Sequence, residues 1–193
     1  MASRSILGML SALALLAAGT PVRAETPWSA ALESIGEAAA ARQARAARAP
    51  ARLCYAPGEI LAAVAGQMDI VIKPEIPAPA IFMESETPLK RFQDAIEAQW
   101  KLRPDQVMNA YAMATNEIFL IDEPGYYVRL RRAIDDSLAH EFVHYLQVRY
   151  RGNTLDPDDD TVEMEAVSFQ TWFRETHILS PEGVRRCGPR QVK

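Results

Sequence analysis

The sequence contains few of the residues on which many catalytic and binding sites depend. Among 193 residues there are only three histidines, two cysteines and nine glycines. No glycine-rich phosphate-binding loop is present, and the two cysteines lie too far apart to form a CxxC metal or redox motif. The formal charge of -4 argues against a nucleic-acid partner, because proteins that bind the phosphate backbone carry a basic surface.

Long apolar runs are also scarce. The run from Ile6 to Ala18 follows the positive Arg4 and precedes the sequence Val22-Arg23-Ala24, which is the arrangement of a secretory signal peptide. The run is too short to span a bilayer comfortably, and no second run of spanning length follows it. We therefore expect a signal peptide over residues 1–24 and one domain over residues 25–193. This domain is expected in the periplasm or outside the cell, with no membrane association after cleavage.

The two cysteines, Cys54 and Cys187, lie near the two ends of the expected mature chain. In an oxidising compartment an even number of cysteines indicates a disulfide bond. We predict that Cys54 and Cys187 are bonded to each other; the alternative is a pair of unpaired buried thiols.

The pattern of apolar and turn residues predicts an α+β fold that is mostly helical with a small sheet. Helices are predicted over residues 27–49, 57–68, 88–102, about 128–150 and about 160–176. Strands are predicted in the segments DIVIK (69–73), AIFME (80–84) and EIFLID (117–122). In the fourth helix Ile134, Leu138, Phe142 and Leu146 share one apolar stripe.

Two of the three histidines occur together in that helix, in the motif His140-Glu141-Phe142-Val143-His144. Residues four apart on a helix project from the same face, with Cβ atoms about 5–6 Å apart. Two imidazoles so placed can bind one ion at the distance of about 2.0–2.1 Å that Zn²⁺ requires. Glu141 lies about 100° around the helix from His140, where it can reach a water molecule on that ion. The motif therefore predicts a zinc site with His140 and His144 as ligands and Glu141 as catalytic base.

A catalytic zinc ion takes three protein ligands and a water molecule. The last predicted helix offers two carboxylates in the sequence VEMEAVSFQTWF, namely Glu163 and Glu165. Either glutamate could be the third ligand on geometry alone.

The HExxH motif followed one loop later by a helix with the pattern E-x-E-A resembles the gluzincin class of zinc metallopeptidases, especially its compact single-domain, minigluzincin-like members. The resemblance covers residues 109–176 and implies that Glu163, in the ExxA position, is the third ligand. Ala166 then allows the two helices to approach closely. One position departs from the class: Val167 stands where many members have an Asp or Asn that orients a ligand histidine. A backbone carbonyl, Gln170 or Glu165 remains as the candidate partner of the imidazole N–H.

The resemblance also implies a zincin-like fold in which the strand before the metal helix, NEIFLID, forms the edge of the sheet above the cleft; the composition of the segment alone equally suits a plain core strand. An extended peptide would pair with this edge. The implied function is a zinc-dependent metallopeptidase that acts on peptides or proteins. The alternatives are a zinc hydrolase acting on cell-wall peptides or small amides, and a non-catalytic binding protein with the zincin fold. Weaker candidates for stabilising an oxyanion are His177 and four tyrosines, namely Tyr111, Tyr126, Tyr127 and Tyr145.

Overall fold

The computed structural model describes residues 34–35, 49–155 and 160–188. The chain divides into two compact units, residues 1–43 and 44–193, and the description below concerns the second. The predicted signal peptide lies outside the described residues, as does most of the predicted helix 27–49. Within the described ranges, no helix combines the length and the apolar character needed to cross a membrane.

The architecture is α+β, as predicted, with six helices and a three-stranded mixed sheet in the described part of the second unit. The helices are α1 (Pro57–Gln67), α2 (Leu89–Trp100), α3 (Pro124–Leu130), α4 (Ile134–Arg151), α5 (Asp160–Phe173) and α6 (Pro181–Cys187). The strands are β1 (Ala80–Met83), β2 (Ala110–Ala112) and β3 (Glu117–Leu120). A short 3₁₀ turn (Glu84–Glu86) follows β1, and a π-helical turn (Arg174–Ile178) joins α5 to α6.

The strands are ordered β1-β3-β2, with β1 parallel and β2 antiparallel to β3. The predicted strand EIFLID is therefore the central strand, and the prediction that it forms the sheet edge is wrong. Because both sides of β3 are already paired, its backbone has no free hydrogen-bonding groups for a peptide. The edge on the side of the metal motif is β2.

The sheet lies between two helical layers, because successive residues of β3 point to opposite faces. Ile118 and Leu120 belong to the main core with α1, α4 and α5, whereas Phe119 packs with Phe92 and Ile96 of α2. The Phe119 and Phe92 rings meet edge to face at 5.2 Å. Strand β2 contacts both layers, because the Tyr111 ring packs on Tyr145 of α4 and the Tyr111 backbone oxygen accepts a hydrogen bond from Gln99 at the end of α2.

Helix α4 is the centre of the main core. Thirteen of its 18 residues are buried, including the whole predicted stripe Ile134, Leu138, Phe142 and Leu146. Acidic residues occupy its first turn and arginines its last, in agreement with the helix dipole, and Gly152 ends it in the left-handed conformation at φ 74°. Because α4 is buried on nearly all sides, its polar residues must find partners inside the protein.

Two element boundaries differ from the sequence prediction. The segment predicted as one helix over 128–150 is broken at Arg131, whose φ of 53° is left-handed. Pro124 is the first residue of the separate helix α3, a position that suits proline because it needs no N–H donor there. The predicted last helix likewise changes to a π-helical turn at Arg174.

The predicted strand DIVIK is not a strand. Asp69 has a φ of 55°, which interrupts an extended conformation, and Val71 is 81% exposed. The segment reaches no sheet edge, and without a paired neighbour β-branched residues do not form a strand.

The predicted disulfide bond is not formed in the structure, where Cys54 and Cys187 lie near each other without an S–S bond. Their proximity was predicted correctly, since the two side chains hydrogen-bond to each other. Burial raises the pKa of both thiols.

Candidate metal centre

Helix α4 places His140 and His144 one turn apart with their rings nearly perpendicular. The ring centroids are 4.7 Å apart at an interplanar angle of 81°. Their Nε2 atoms face each other at 3.1 Å. The two side chains are mostly buried, with 13% and 9% of their surface exposed, so these nitrogens form a site at the base of a cleft.

Glu163 reaches the same point from the first turn of α5. Its Oε1 lies 3.4 Å from His140 Nε2 and its Oε2 lies 3.2 Å from His144 Nε2. Two atoms bound at about 2.0–2.1 Å to a tetrahedral zinc ion lie roughly 3.3–3.4 Å apart. The separations of 3.1, 3.2 and 3.4 Å are close to this spacing, with a different Glu163 oxygen facing each histidine. The two nitrogens and the carboxylate therefore lie close enough to share one small cation.

Glu165, the alternative third ligand, is turned away from the histidines. Its carboxylate accepts hydrogen bonds from Gln147 Nε2 and from Arg151 Nη1, both at 2.8 Å. The two glutamates are two residues apart on a helix, so they point about 200° apart around its axis. The structure thus places Glu163, and not Glu165, beside His140 and His144.

Gln147 holds His144 in the tautomer that a metal requires. Its Nε2 donates to the backbone oxygen of Val162 at 2.9 Å and to Glu165. Both of these partners are acceptors, so the Oε1 of Gln147 is the atom that faces His144 Nδ1, at 2.9 Å. Because Oε1 can only accept, His144 must carry its proton on Nδ1, which leaves the Nε2 lone pair free for a metal.

Sequence reasoning missed Gln147 as the partner of this imidazole. Of the residues it named, Glu165 contacts Gln147 rather than the histidine, and Gln170 donates instead to Asp136 Oδ1 at 3.0 Å. A signal was present, since Gln147 follows His144 by three residues and so lies beside it on the helix. The ring of His140 is held less firmly than that of His144, because His140 Nδ1 is buried without a hydrogen-bond partner among the described residues.

Glu141 lies beside the two imidazoles in a dry environment. Its side chain is buried, and its ligand atom lies within 4.8 Å of those of His140 and His144. Burial raises the pKa of this carboxyl, against the opposing effects of the two histidines and of the Tyr111 backbone N–H. A carboxylate whose pKa is raised accepts a proton more readily near neutral pH, as a general base must.

The charges around the ligand atoms favour a cation. Hydrogen bonds to the two histidines hold the pKa of Glu163 well below its usual range, so it is ionised. Burial alone would lower the pKa of His144. The Glu163 carboxylate, which accepts a hydrogen bond from the protonated ring, and the charge of Glu141 outweigh burial and raise the pKa. Two carboxylates facing two imidazoles therefore supply negative charge at the point where the ligand atoms meet.

A cavity of about 290 Å³ opens over these groups. Besides His140, Glu141, His144 and Glu163, the residues that line it come from the end of α2, from β2 and Asn109 before it, from Leu155 after α4, and from the start of α5. Such a volume is at the lower limit of ordinary ligand pockets. It admits a short extended segment rather than a large ligand.

Four of the weaker oxyanion candidates, namely His177, Tyr111, Tyr127 and Tyr145, are engaged elsewhere. His177 stacks on Phe173, with ring centroids 4.4 Å apart, and does not line the cavity. The Tyr111 hydroxyl donates to Asn116 Oδ1 at 2.9 Å, and the hydroxyls of Tyr127 and Tyr145 donate to the backbone oxygens of Ile121 and Pro77. These tyrosines stabilise the fold, and none of their hydroxyls is directed to the metal ligands.

Comparisons of the chain with protein families, with curated proteins and with solved structures found no match.

Proposed function

We propose that this protein is a zinc-dependent metallopeptidase of the gluzincin type, with the zincin-like fold that this class implies. The observation that supports the proposal is the meeting of His140 Nε2, His144 Nε2 and the Glu163 carboxylate, whose two oxygens face one histidine each at 3.4 and 3.2 Å, with Glu141 beside them. Substrates are peptides or proteins, and the expected signal peptide puts the enzyme in the periplasm or outside the cell.

With only these three protein ligands, a bound zinc ion would still be able to take up a water molecule or substrate. When bound, zinc acts as a Lewis acid that lowers the pKa of a coordinated water molecule and polarises a carbonyl group. His140 Nε2, His144 Nε2 and a Glu163 carboxylate oxygen would hold the ion. Gln147 keeps the His144 ring oriented and in the Nδ1–H tautomer throughout.

Glu141 carries the proton during hydrolysis. Its carboxylate takes a proton from the attacking water molecule and then donates it to the nitrogen of the leaving amine, so that the glutamate returns to its ionised form. Burial of Glu141 assists both steps, because a raised pKa lies closer to neutral pH, where the carboxyl group can then both accept and release a proton. The surrounding core of α4 excludes other water from this carboxylate.

The first test is the metal content of purified protein. The wild type is expected to contain about one zinc ion per chain, and Glu163→Gln is expected to lose it, because an amide is a poor zinc ligand. Glu165→Gln is the matched control on the same helix and should retain zinc. Equal zinc in all three proteins would refute the assignment of Glu163.

The second test separates metal binding from catalysis. Glu141→Gln should retain the zinc ion and lose at least about a hundredfold in peptide hydrolysis, the usual effect of removing a general base. Hydrolysis that survives this change would show that Glu141 is not the base. A wild-type protein that binds zinc and cleaves neither peptides nor cell-wall fragments would instead be a binding protein.

A further inference from the structure

The outward edge of strand β2 lies next to the metal centre and is already covered by side chains. Since Ala110 and Ala112 lie opposite Phe119 and Glu117 in the alternating pattern of an antiparallel pair, the backbone groups of Tyr111 and Met113 point away from the sheet. Gln99 Nε2 donates to the Tyr111 oxygen at 3.2 Å, and Gln99 Oε1 accepts from the Met113 nitrogen at 3.1 Å. The Met113 oxygen accepts from Arg149 Nη2 at 3.1 Å.

The carboxamide of Gln99 reproduces the bonding of a neighbouring strand. A residue of a parallel strand also donates to one carbonyl and accepts from the N–H two residues further along. Gln99 makes these two bonds on either side of Ala112. It therefore occupies a backbone-pairing position that an extended peptide would use.

This position belongs to the same cavity as the metal ligands. Gln99 and Tyr111 line it together with His140, Glu141 and Glu163. An unpaired strand edge is a natural docking place for an extended peptide. A peptide bound along β2 would therefore pass directly over the proposed catalytic groups.

Gln99 is able to leave. It lies in the last turn of α2 and is only half-buried, and its long side chain rotates on a much faster timescale than peptide exchange. The fold around it does not depend on its amide in the way that it depends on the buried Gln147. Displacement costs the two hydrogen bonds to β2 and nothing else that the structure shows.

We propose that Gln99 is an intramolecular competitor of the substrate: its side-chain amide covers the edge of β2, and an extended peptide binds only after displacing it. Gln99 thereby determines which substrates are accepted, since only peptides that form enough contacts elsewhere in the cleft overcome the competition. This inference rests on the proposed peptidase function for its substrate class.

The size of the effect follows from the two bonds that are displaced. One net hydrogen bond changes an equilibrium by about two- to tenfold. A peptide can pair with β2 only while Gln99 is displaced. The apparent affinity for the peptide is therefore the intrinsic affinity multiplied by the fraction of time for which the edge is free. Removing the amide should therefore strengthen the binding of extended peptides by about four- to a hundredfold.

The test measures binding and hydrolysis with one library of fluorescent decapeptides that are acetylated and amidated. Binding is measured with Glu141→Gln, which prevents turnover, and with Glu141→Gln/Gln99→Ala. Hydrolysis of the same library is measured with the wild type and Gln99→Ala. We expect Gln99→Ala to strengthen binding and to lower KM, with kcat changed less than about twofold, because the amide is absent from the reacting groups.

The two measurements separate the inference from the proposed function. Stronger binding without any hydrolysis supports the competitor and refutes the peptidase. Hydrolysis with unchanged binding refutes the competitor and leaves the peptidase. Absence of both binding and hydrolysis refutes both.

Two further variants exclude trivial effects. Gln99→Met retains the length of the side chain without its hydrogen bonds, and it should also strengthen binding if the bonds rather than the bulk cover the edge. Gln93→Ala is the matched control, because Gln93 is on the same helix but donates to the Pro104 oxygen at 2.8 Å. An equal gain in Gln93→Ala would show that general loosening of α2 is responsible and would overturn the proposal.

Discussion

Replacing Gln147 by methionine tests whether the metal centre depends on a buried amide that sequence motifs do not reveal. Gln147 is completely buried at 0% exposure. Methionine has a similar unbranched length, so the core remains filled, while all three hydrogen bonds of the amide are lost. His144 Nδ1–H would then be buried without an acceptor.

The expected loss of zinc affinity in Gln147→Met can be derived in two ways. A buried donor left without a partner costs about 1–3 kcal/mol. Removing the group that orients a ligand histidine typically lowers metal affinity by about 10–100-fold, which corresponds to about 1.4–2.8 kcal/mol. The two ranges agree, and the second includes the population of the wrong tautomer, in which the proton moves to Nε2 and blocks the metal.

The assay is competition for zinc with a chromophoric chelator at pH 7, with urea unfolding of the metal-free proteins beside it. The unfolding data show how much of the loss belongs to folding rather than to metal binding. Glu165→Gln is the control, since it changes a neighbour of Gln147 but leaves the bond to His144, and its zinc affinity should fall less than about threefold. If Gln147→Met binds zinc within about twofold of the wild type, the tautomer of His144 is not determined by Gln147, and the argument is wrong.

Three further predictions concern the scaffold around the centre. Ala166 is fully buried between α5 and α4. Ala166→Leu should therefore separate the two helices, lower the free energy of unfolding by about 1–3 kcal/mol and weaken zinc binding. Val167→Leu, at the exposed neighbouring position, should have none of these effects. Burial raises the pKa of Asp136 from 3.8 to about 6. Between these two values the native state binds more protons than the unfolded state, so the free energy of unfolding falls as the pH rises from 4 to 7. In urea titrations at these two pH values, Asp136→Asn should reduce this fall by up to about 3 kcal/mol. A Cβ on Gly183 would lie 1.6 Å from the His177 oxygen, so Gly183→Ala should lower the melting temperature by several degrees, while Gly58→Ala, where nothing lies within 4 Å, should leave it equal or higher; equal melting temperatures for both variants would contradict the close packing of α6.

Local patterns predicted several elements correctly because the forces that form them are local. The apolar residues of α1, α2 and α4 recur at helical spacing and are buried as expected. The strand AIFM was also recognised. The segment DIVIK was misread, since its composition suits a strand but only the tertiary fold decides whether a paired neighbour exists.

The sequence alone determined that His140 and His144 converge, because a separation of four residues on a helix places two side chains on the same face whatever surrounds them. Three other features were decided only by the tertiary structure. The choice of Glu163 over Glu165 depends on how α5 is rotated against α4. The position of the proton on His144 depends on the hydrogen bonds of Gln147 with Val162 and Glu165. The covering of the β2 edge depends on where α2 ends. Each joins groups from separate elements, and the relative position of such elements results from packing of the whole core, which no short pattern encodes.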